Sequence, residues 1–195
     1  QKSQLADNIN IGYTTNSLEY IVGFIHTHPS AGSAGPSAKD LVQMAKVGHE
    51  YILNATNPDY DKAYIGNFVL AADGSIYAMA VTNNVLAHNF YSSYNGQTVN
   101  GDWKIGTAAE KIFKFAYEQY KNAYTGNSNA KNLVFEAAQA ETLNSLNAGV
   151  SIVKYNPATG KFEPVVKKII PKKKANGEVE KDEEGNAKTT VTNGC

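Results

Sequence analysis

Apolar and polar positions alternate with two different periods along this chain, and the changes of period divide it into strands and helices. Residues 1–8 are polar and show no period; a short strand is expected at 9–13, then a turn at 14–17. Residues 18–28 are dense in Ile, Val and Phe and read as a buried strand, whose ladder pairing Pro29 would stop. Two glycines, two alanines and Pro36 within residues 30–36 spell a tight loop. Ser37 and Asp40 then fit the N-cap and N3 positions of a helix. Leu41, Met44, Ala45 and Val47 supply its apolar face, and the helix is expected to fade near Gly48.

A further strand is expected at 51–53, ended by the Asn- and Pro-containing stretch 54–58. Two apolar runs follow, 63–72 and 75–82, split by Asp73-Gly74, the strongest hairpin signal in the chain. Residues 83–104 are rich in Asn, Tyr, Ser and Gly and read as a long surface excursion. Helical spacing returns at 108–124, through Ile112, Phe115, Ala116 and Tyr120, and at 132–146, through Leu133, Ala137, Ala140 and Leu143. Gly149 suits the cap of the second helix. Residues 150–155 and 161–166 then form a hairpin around Asn156-Pro-Ala-Thr-Gly160. From Lys167 onward lysine runs and then glutamate runs, with few large apolar residues, read as a solvated tail.

Composition narrows the function classes. The chain of 195 residues can bury a sizeable core, and a 42% hydrophobic fraction with 12 tyrosines fits a folded domain. Formal net charge is zero, so no global field draws it to nucleic acid or to a membrane surface. All 18 basic residues are lysines, which removes the forked contacts that phosphate and base recognition favour. The lysine cluster at 167–174 lacks interleaved aromatics and reads as solvated charge. No apolar run approaches the roughly 18 residues of a membrane span. The single cysteine, Cys195, allows neither an internal disulfide nor a Cys-rich zinc site. The chain begins at Gln1 without a signal peptide, and reads as a processed product or as a piece of something longer.

Chemistry concentrates in residues 26–40. On a strand, residues two apart share a face, so His26 and His28 can converge on one ion. The turn at Pro29 and the small-residue loop can bring Asp40 in from the start of the helix. Two imidazole nitrogens and a carboxylate oxygen leave a fourth tetrahedral position for water, the layout of a catalytic zinc site. Zn2+ is therefore the expected cofactor, and Ser37 can both cap the helix and hydrogen-bond a tetrahedral oxyanion. The blander readings are a capping box for Ser37 and Asp40, and ordinary surface or core imidazoles for the histidines.

Taken together, His26-Thr-His28-Pro29, seven residues, then Ser37-Ala-Lys-Asp40 resembles the JAMM signature of the JAB/MPN metallopeptidases, with no departure in residue type or spacing. Val22-Gly-Phe-Ile25 is similar to the strand leading into that motif, and the likeness covers about residues 9–85. It implies an α/β fold with a mixed, curved sheet flanked by helices, of cytidine-deaminase-like layout. It further implies zinc on His26, His28 and Asp40, Ser37 beside the catalytic centre, and a protein or peptide substrate cut at a peptide or isopeptide bond. The corresponding division of the chain is 1–150 for the JAB/MPN-like domain with its C-terminal helices, 151–170 for a hairpin extension and 171–195 for a charged, disordered tail. The helices and the hairpin at 155–162 also look similar to C-terminal modules of large bacterial surface or polymorphic-toxin proteins, which implies a bacterial, secreted or cell-surface setting.

One part of the family pattern is missing. Members take a general base from a glutamate several tens of residues before the first histidine, whereas the glutamate that precedes His26 here is Glu19. Seven strand residues span roughly 23 Å, so Glu19 reaches the metal only across a sharp bend and otherwise reads as a strand-edge charge. Glu50 is a further candidate without support from spacing. His49-Glu50 is no His-Glu-x-x-His site, because position 53 is Leu, and His88 reads as a surface histidine. Two functions stay open: a JAMM-type zinc metallopeptidase, or a module of the same fold that binds protein without catalysis, either lacking a general-base glutamate or being a fragment whose glutamate lies upstream of Gln1, in the setting of a secreted bacterial toxin.

Overall fold

The computed structural model describes residues 23–28, 33–53, 66–165, 167–185 and 187–193; the strand expected at 9–13 and Glu19 lie outside them. In chain order the elements are β1 Gly23–His28, α1 Ala38–Leu53, β2 Gly66–Ala71, β3 Ile76–Val81, α2 Asn84–Tyr94, β4 Thr98–Val99, β5 Asp102–Trp103, α3 Ala108–Ala123, α4 Ala130–Ser145, β6 Val150–Asn156, β7 Lys161–Pro164, β8 Lys167–Pro171 and β9 Thr189–Asn193. The class is mixed α/β.

Five strands form a mixed sheet in the order β1-β2-β3-β6-β7. β1 and β2 run parallel, with α1 in the connection between them, and the remaining neighbours are antiparallel. Directly paired residues share a face, so His26, Val69, Tyr77, Lys154 and Glu163 make one row across all five strands. Val69, Tyr77, Met79 and Ile152 on that face are buried together with Leu41, Met44 and Ala45 of α1 and Phe90 of α2. The apolar stripe of α1 is thus what fixes the helix to the histidine-bearing face of the sheet.

The expected hairpin at Asp73-Gly74 is present. Gly74 takes φ +84°, Asp73 Oδ1 accepts from the Ser75 amide at 2.9 Å, and β2 and β3 pair on either side. The two long helices and the hairpin of β6 and β7 also stand close to where periodicity put them.

Four local expectations are corrected. Helix α1 does not fade at Gly48 but runs on to Leu53, through the stretch read as a strand. A Cβ added at Gly48 would lie 2.6 Å from Cβ of Ala87, so this glycine is where α1 and α2 cross and not where α1 stops. Residues 83–104 are no surface excursion: they form α2 and the small hairpin of β4 and β5, and bury Ala87, Phe90 and Trp103. Asn83 caps α2, its side chain accepting from the Leu86 amide at 3.0 Å.

Third, Gly149 does not cap α4. Asn147 holds the left-handed conformation at φ 49°, while the amides of Asn147 and Ala148 donate to Asn144 and Leu143. Gly149 instead lets its backbone approach the start of α2, where its carbonyl accepts from Thr82 and Asn83 at 2.8 and 3.2 Å.

Fourth, the charged stretch expected to be a tail forms a ribbon. β8 and β9 pair antiparallel, and Ile169 packs against an apolar cluster of Ala116 and Tyr120 from α3 with Val134, Ala137 and Ala138 from α4. Beyond them the amides of Lys172, Lys188 and Glu180 donate in turn to the carbonyls of Lys188, Glu180 and Lys172, each at 2.8 Å. Opposite charges meet across this junction, Lys172 with Glu180 at 2.9 Å and Lys174 with Glu178 at 3.6 Å. No helix among the described residues is long and apolar enough to cross a membrane.

Candidate metal centre

Strand alternation puts His26 and His28 on the same face at the C-terminal end of β1. Helix α1 starts beside that end, and its first turn carries Asp40 to the two rings. Nε2 of His26 and Nε2 of His28 stand 3.2 Å apart. Asp40 straddles them, Oδ1 lying 3.3 Å from His26 Nε2 and Oδ2 3.2 Å from His28 Nε2. His26, His28 and Asp40 are the one group of metal-ligating side chains found among the described residues, and the three can hold a metal ion.

The helix start is a full capping box. Ser37 donates to Asp40 Oδ2 twice, from its amide at 2.8 Å and from its hydroxyl at 2.7 Å, while Ser37 Oγ accepts from the Asp40 amide at 3.3 Å. Asp40 is therefore a cap residue that at the same time faces both histidines. The carboxylate rotamer is set by the cap, and the same carboxylate faces the histidines. Ser37 has one hydroxyl proton, and it points to Asp40, so any hydrogen bond from Ser37 to a substrate needs that proton redirected.

His28 is oriented from behind. Its Nδ1 lies 3.3 Å from the carbonyl of Ser33, which can only accept, so Nδ1 carries a proton; the protonated ring then donates from Nε2 to Asp40, and the neutral ring leaves Nε2 its lone pair toward the cluster. Burial works against a charge on His28, but the hydrogen bond and charge of Asp40, aided by backbone at Ser33 and Gly35, hold its pKa above the ordinary value. Burial likewise pushes the Asp40 carboxyl up, yet hydrogen bonds from His26, His28 and Ser37 and the charge of His26 outweigh it, and it sits far below the usual carboxylate range. Three groups that each bring lone pairs to one point repel unless a cation sits among them. A shared proton meets that need in part, and a metal ion meets it fully.

Two supports were not expected from sequence. The β4–β5 hairpin turns through Asn100 and Gly101, at φ 52° and 88°, and lays Gly101 against Ser37. The Gly101 carbonyl accepts from the Lys39 amide at 3.4 Å, satisfying a donor that the start of α1 otherwise leaves open. Trp103 anchors this hairpin, its indole N–H donating to Gln139 Oε1 at 3.0 Å with both side chains buried. Asn100-Gly101 is itself a type I′ turn signal, and was hidden by the polar composition around it.

The other candidates stand apart. Glu50 lies ten residues beyond Asp40 on the same helix, about 15 Å along its axis at 1.5 Å per residue. It pairs with Lys46 at 4.0 Å. His49 and His88 stack on each other, ring centroids 4.6 Å apart and 14° from parallel, between α1 and α2. Near-parallel rings cannot both aim a lone pair at one ion. His88 is half-buried in this contact and is not the surface histidine expected. No family model, curated protein or solved structure matches the chain.

Proposed function

We propose that the chain is a zinc-dependent metallopeptidase domain of JAMM type on a JAB/MPN-like fold, hydrolysing a peptide or isopeptide bond of a protein or peptide substrate. The observation that carries this reading is the convergence of the motif residues: strand, loop and helix bring His26, His28, Ser37 and Asp40 into one cluster. Zinc bonds of about 2.0–2.1 Å place neighbouring ligand atoms about 3.3–3.4 Å apart around a tetrahedral centre. The two rings stand 3.2 Å apart and each faces its own oxygen of Asp40, at 3.3 Å for His26 and 3.2 Å for His28, so the three side chains converge on one point. Side-chain exposure of 29% at His26 against 16% at His28 leaves the cluster open on the His26 side, where a substrate carbonyl would approach.

Zinc held there would lower the pKa of water and polarise the scissile carbonyl. His28 contributes an Nε2 ligand of fixed tautomer, His26 a second nitrogen at the open side, and Asp40 an oxygen locked by the helix cap. Neutral composition without arginine leaves nucleic acid and membrane out of the expected partners.

A second reading has its own observation. Among the described residues no carboxylate other than Asp40 joins the cluster, so no general base stands beside it there. A zinc-bearing or metal-free module that binds protein without cutting it fits that arrangement. The deciding experiment measures the zinc content of the purified protein and its hydrolysis of mixed peptide and isopeptide-linked substrates, with His28→Ala and Asp40→Ala alongside. Stoichiometric zinc and hydrolysis, both lost in the variants, support the enzyme. Zinc without hydrolysis supports the binding module. Wild type devoid of metal after zinc-replete purification removes the metallopeptidase reading.

A further inference from the structure

The Ser33–Ala34 peptide unit is engaged on both sides. Its carbonyl accepts from Nδ1 of His28 at 3.3 Å, and its N–H donates to Asn132 Oδ1, also at 3.3 Å. Asn132, near the start of α4, in turn donates from Nδ2 to Asp73 Oδ2 at 2.8 Å. Asp73 belongs to the β2–β3 turn, and the neighbouring Ala72 amide donates to the His28 carbonyl at 3.1 Å. His28 is thus held to one turn twice, once through its own backbone and once through its ring.

We infer that Asn132, held by Asp73, is the positioning residue that fixes His28 as an Nε2 metal ligand. Every hydrogen bond in the chain of contacts points the same way. His28 donates to the peptide, the peptide donates to Asn132, and Asn132 donates to the Asp73 carboxylate. Aligned amide dipoles polarise one another, so the negative end at Asp73 is felt at the imidazole N–H. Metal-ligating histidines commonly donate their second nitrogen straight to a carboxylate, which fixes the tautomer and raises ligand basicity. Here two amide groups lie between ring and carboxylate and transmit the same polarity. The amide of Asn132 suits this place because it accepts on one side and donates on the other. A carboxylate there cannot donate and would face Asp73 with like charge.

This inference rests on the metal reading for its purpose, but its geometry is testable without metal. The first measurement is the imidazole nitrogen shifts of His28 in metal-free protein, taken at a pH where those shifts show the ring to be neutral. Wild type is expected to show the Nδ1–H form; Asn132→Ala is expected to shift toward the Nε2–H form, and Asn132→Gln to restore part of it. The second is zinc affinity by chelator competition. Asn132→Ala and Asn132→Asp are each expected to weaken it by about 10- to 100-fold, with thermal stability of the metal-free protein compared in parallel. Asp73→Asn has one oxygen where Asp73 uses two, Oδ1 for Ser75 and Oδ2 for Asn132, so with the turn contact kept it sets an NH2 against Asn132 and is expected to weaken zinc binding as well. An unchanged His28 tautomer in Asn132→Ala overturns the inference, as does zinc affinity within twofold of wild type. A protein that binds no zinc yet shows the tautomer change overturns the metal reading and leaves the relay standing.

Discussion

Gly48 and Ala87 occupy the crossing point of α1 and α2, so close that a methyl group on Gly48 would stand 2.6 Å from the Ala87 methyl. Val81 and the backbone of Asn84 close the same space at 3.2 and 3.4 Å. Propensity alone favours alanine over glycine within a helix by about 1 kcal/mol, but the crossing reverses the sign. Gly48→Ala is expected to destabilise the fold by about 1–3 kcal/mol, read from urea unfolding. A variant as stable as wild type would show that the helices are free to move apart.

Glu136 is 2% exposed and accepts from the Tyr77 hydroxyl at 2.7 Å and from Lys154 at 2.8 Å. Glu136→Ala leaves a buried hydroxyl without its acceptor and an ammonium without its counter-charge. The expected loss is about 3 kcal/mol, near the lower end for broken buried pairs because Lys154 keeps access to water. Glu136→Ala with Tyr77→Phe should lose less than the sum of the single changes, since the hydroxyl is then absent.

Alkaline stability should follow the tyrosines. Burial, then the charges of Glu141 and Tyr124, push the Tyr120 hydroxyl from 10.0 up to about 12. Tyr77 moves further in the same direction, through burial and the charge of Glu136 beside it. A folded pKa above the unfolded one gives stability that is complete below pH 10 and lost as pH climbs through 12. Unfolding midpoints measured from pH 9 to 12 should fall across that window, and the Tyr120→Phe variant should fall less steeply.

The turn over Ser37 is a second test of backbone conformation. Gly101 holds φ 88°, and Gly101→Val would place a branched side chain in a left-handed conformation while adding bulk against Ser37. A loss of about 1–3 kcal/mol is expected. Circular dichroism and chemical unfolding read it, and Gly106→Val serves as the comparison, because nothing lies within 4 Å of a Cβ there.

Zinc should also stabilise the fold if the cluster binds it. At a free concentration one hundred times Kd the gain is about 2.7 kcal/mol. Thermal unfolding with and without a chelator measures it, and Asp40→Asn should abolish the difference. An equal midpoint for wild type in both conditions would exclude binding at this site.

How much of this was legible in the sequence depends on how local the cause is. His26, His28, Ser37 and Asp40 were readable because a strand period and a helix cap act over a few residues, and both were respected. The start of α1 was legible for the same reason. Its end was not, because Gly48 is explained by Ala87, thirty-nine residues away, and no local pattern reports a helix crossing. Residues 83–104 misled through their asparagines and glycines. Asn83 is a cap and Asn100-Gly101 a turn, so the polar residues mark element boundaries and not a loop. In the charged stretch, lysines and glutamates that read as solvated blocks pair with each other beyond β8, Lys172 with Glu180 and Lys174 with Glu178 across a turn. The part of the site that no spacing could reveal is its support, since Asn132 and Gly101 reach it only through the tertiary fold.

Asp40 serves the helix and the histidines with one carboxylate, and that double duty bears on how such a site decays under mutation. If the cluster holds a metal, a lineage that ceased to need it would release His26 first, whose ring faces only the cluster, while His28 would keep its hydrogen bond to the Ser33 carbonyl. Ser37 and Asp40 would remain under selection for the start of α1. Such descendants should therefore carry part of the motif, the serine and aspartate intact and the first histidine lost before the second. The pair that looks most like chemistry would outlast the chemistry.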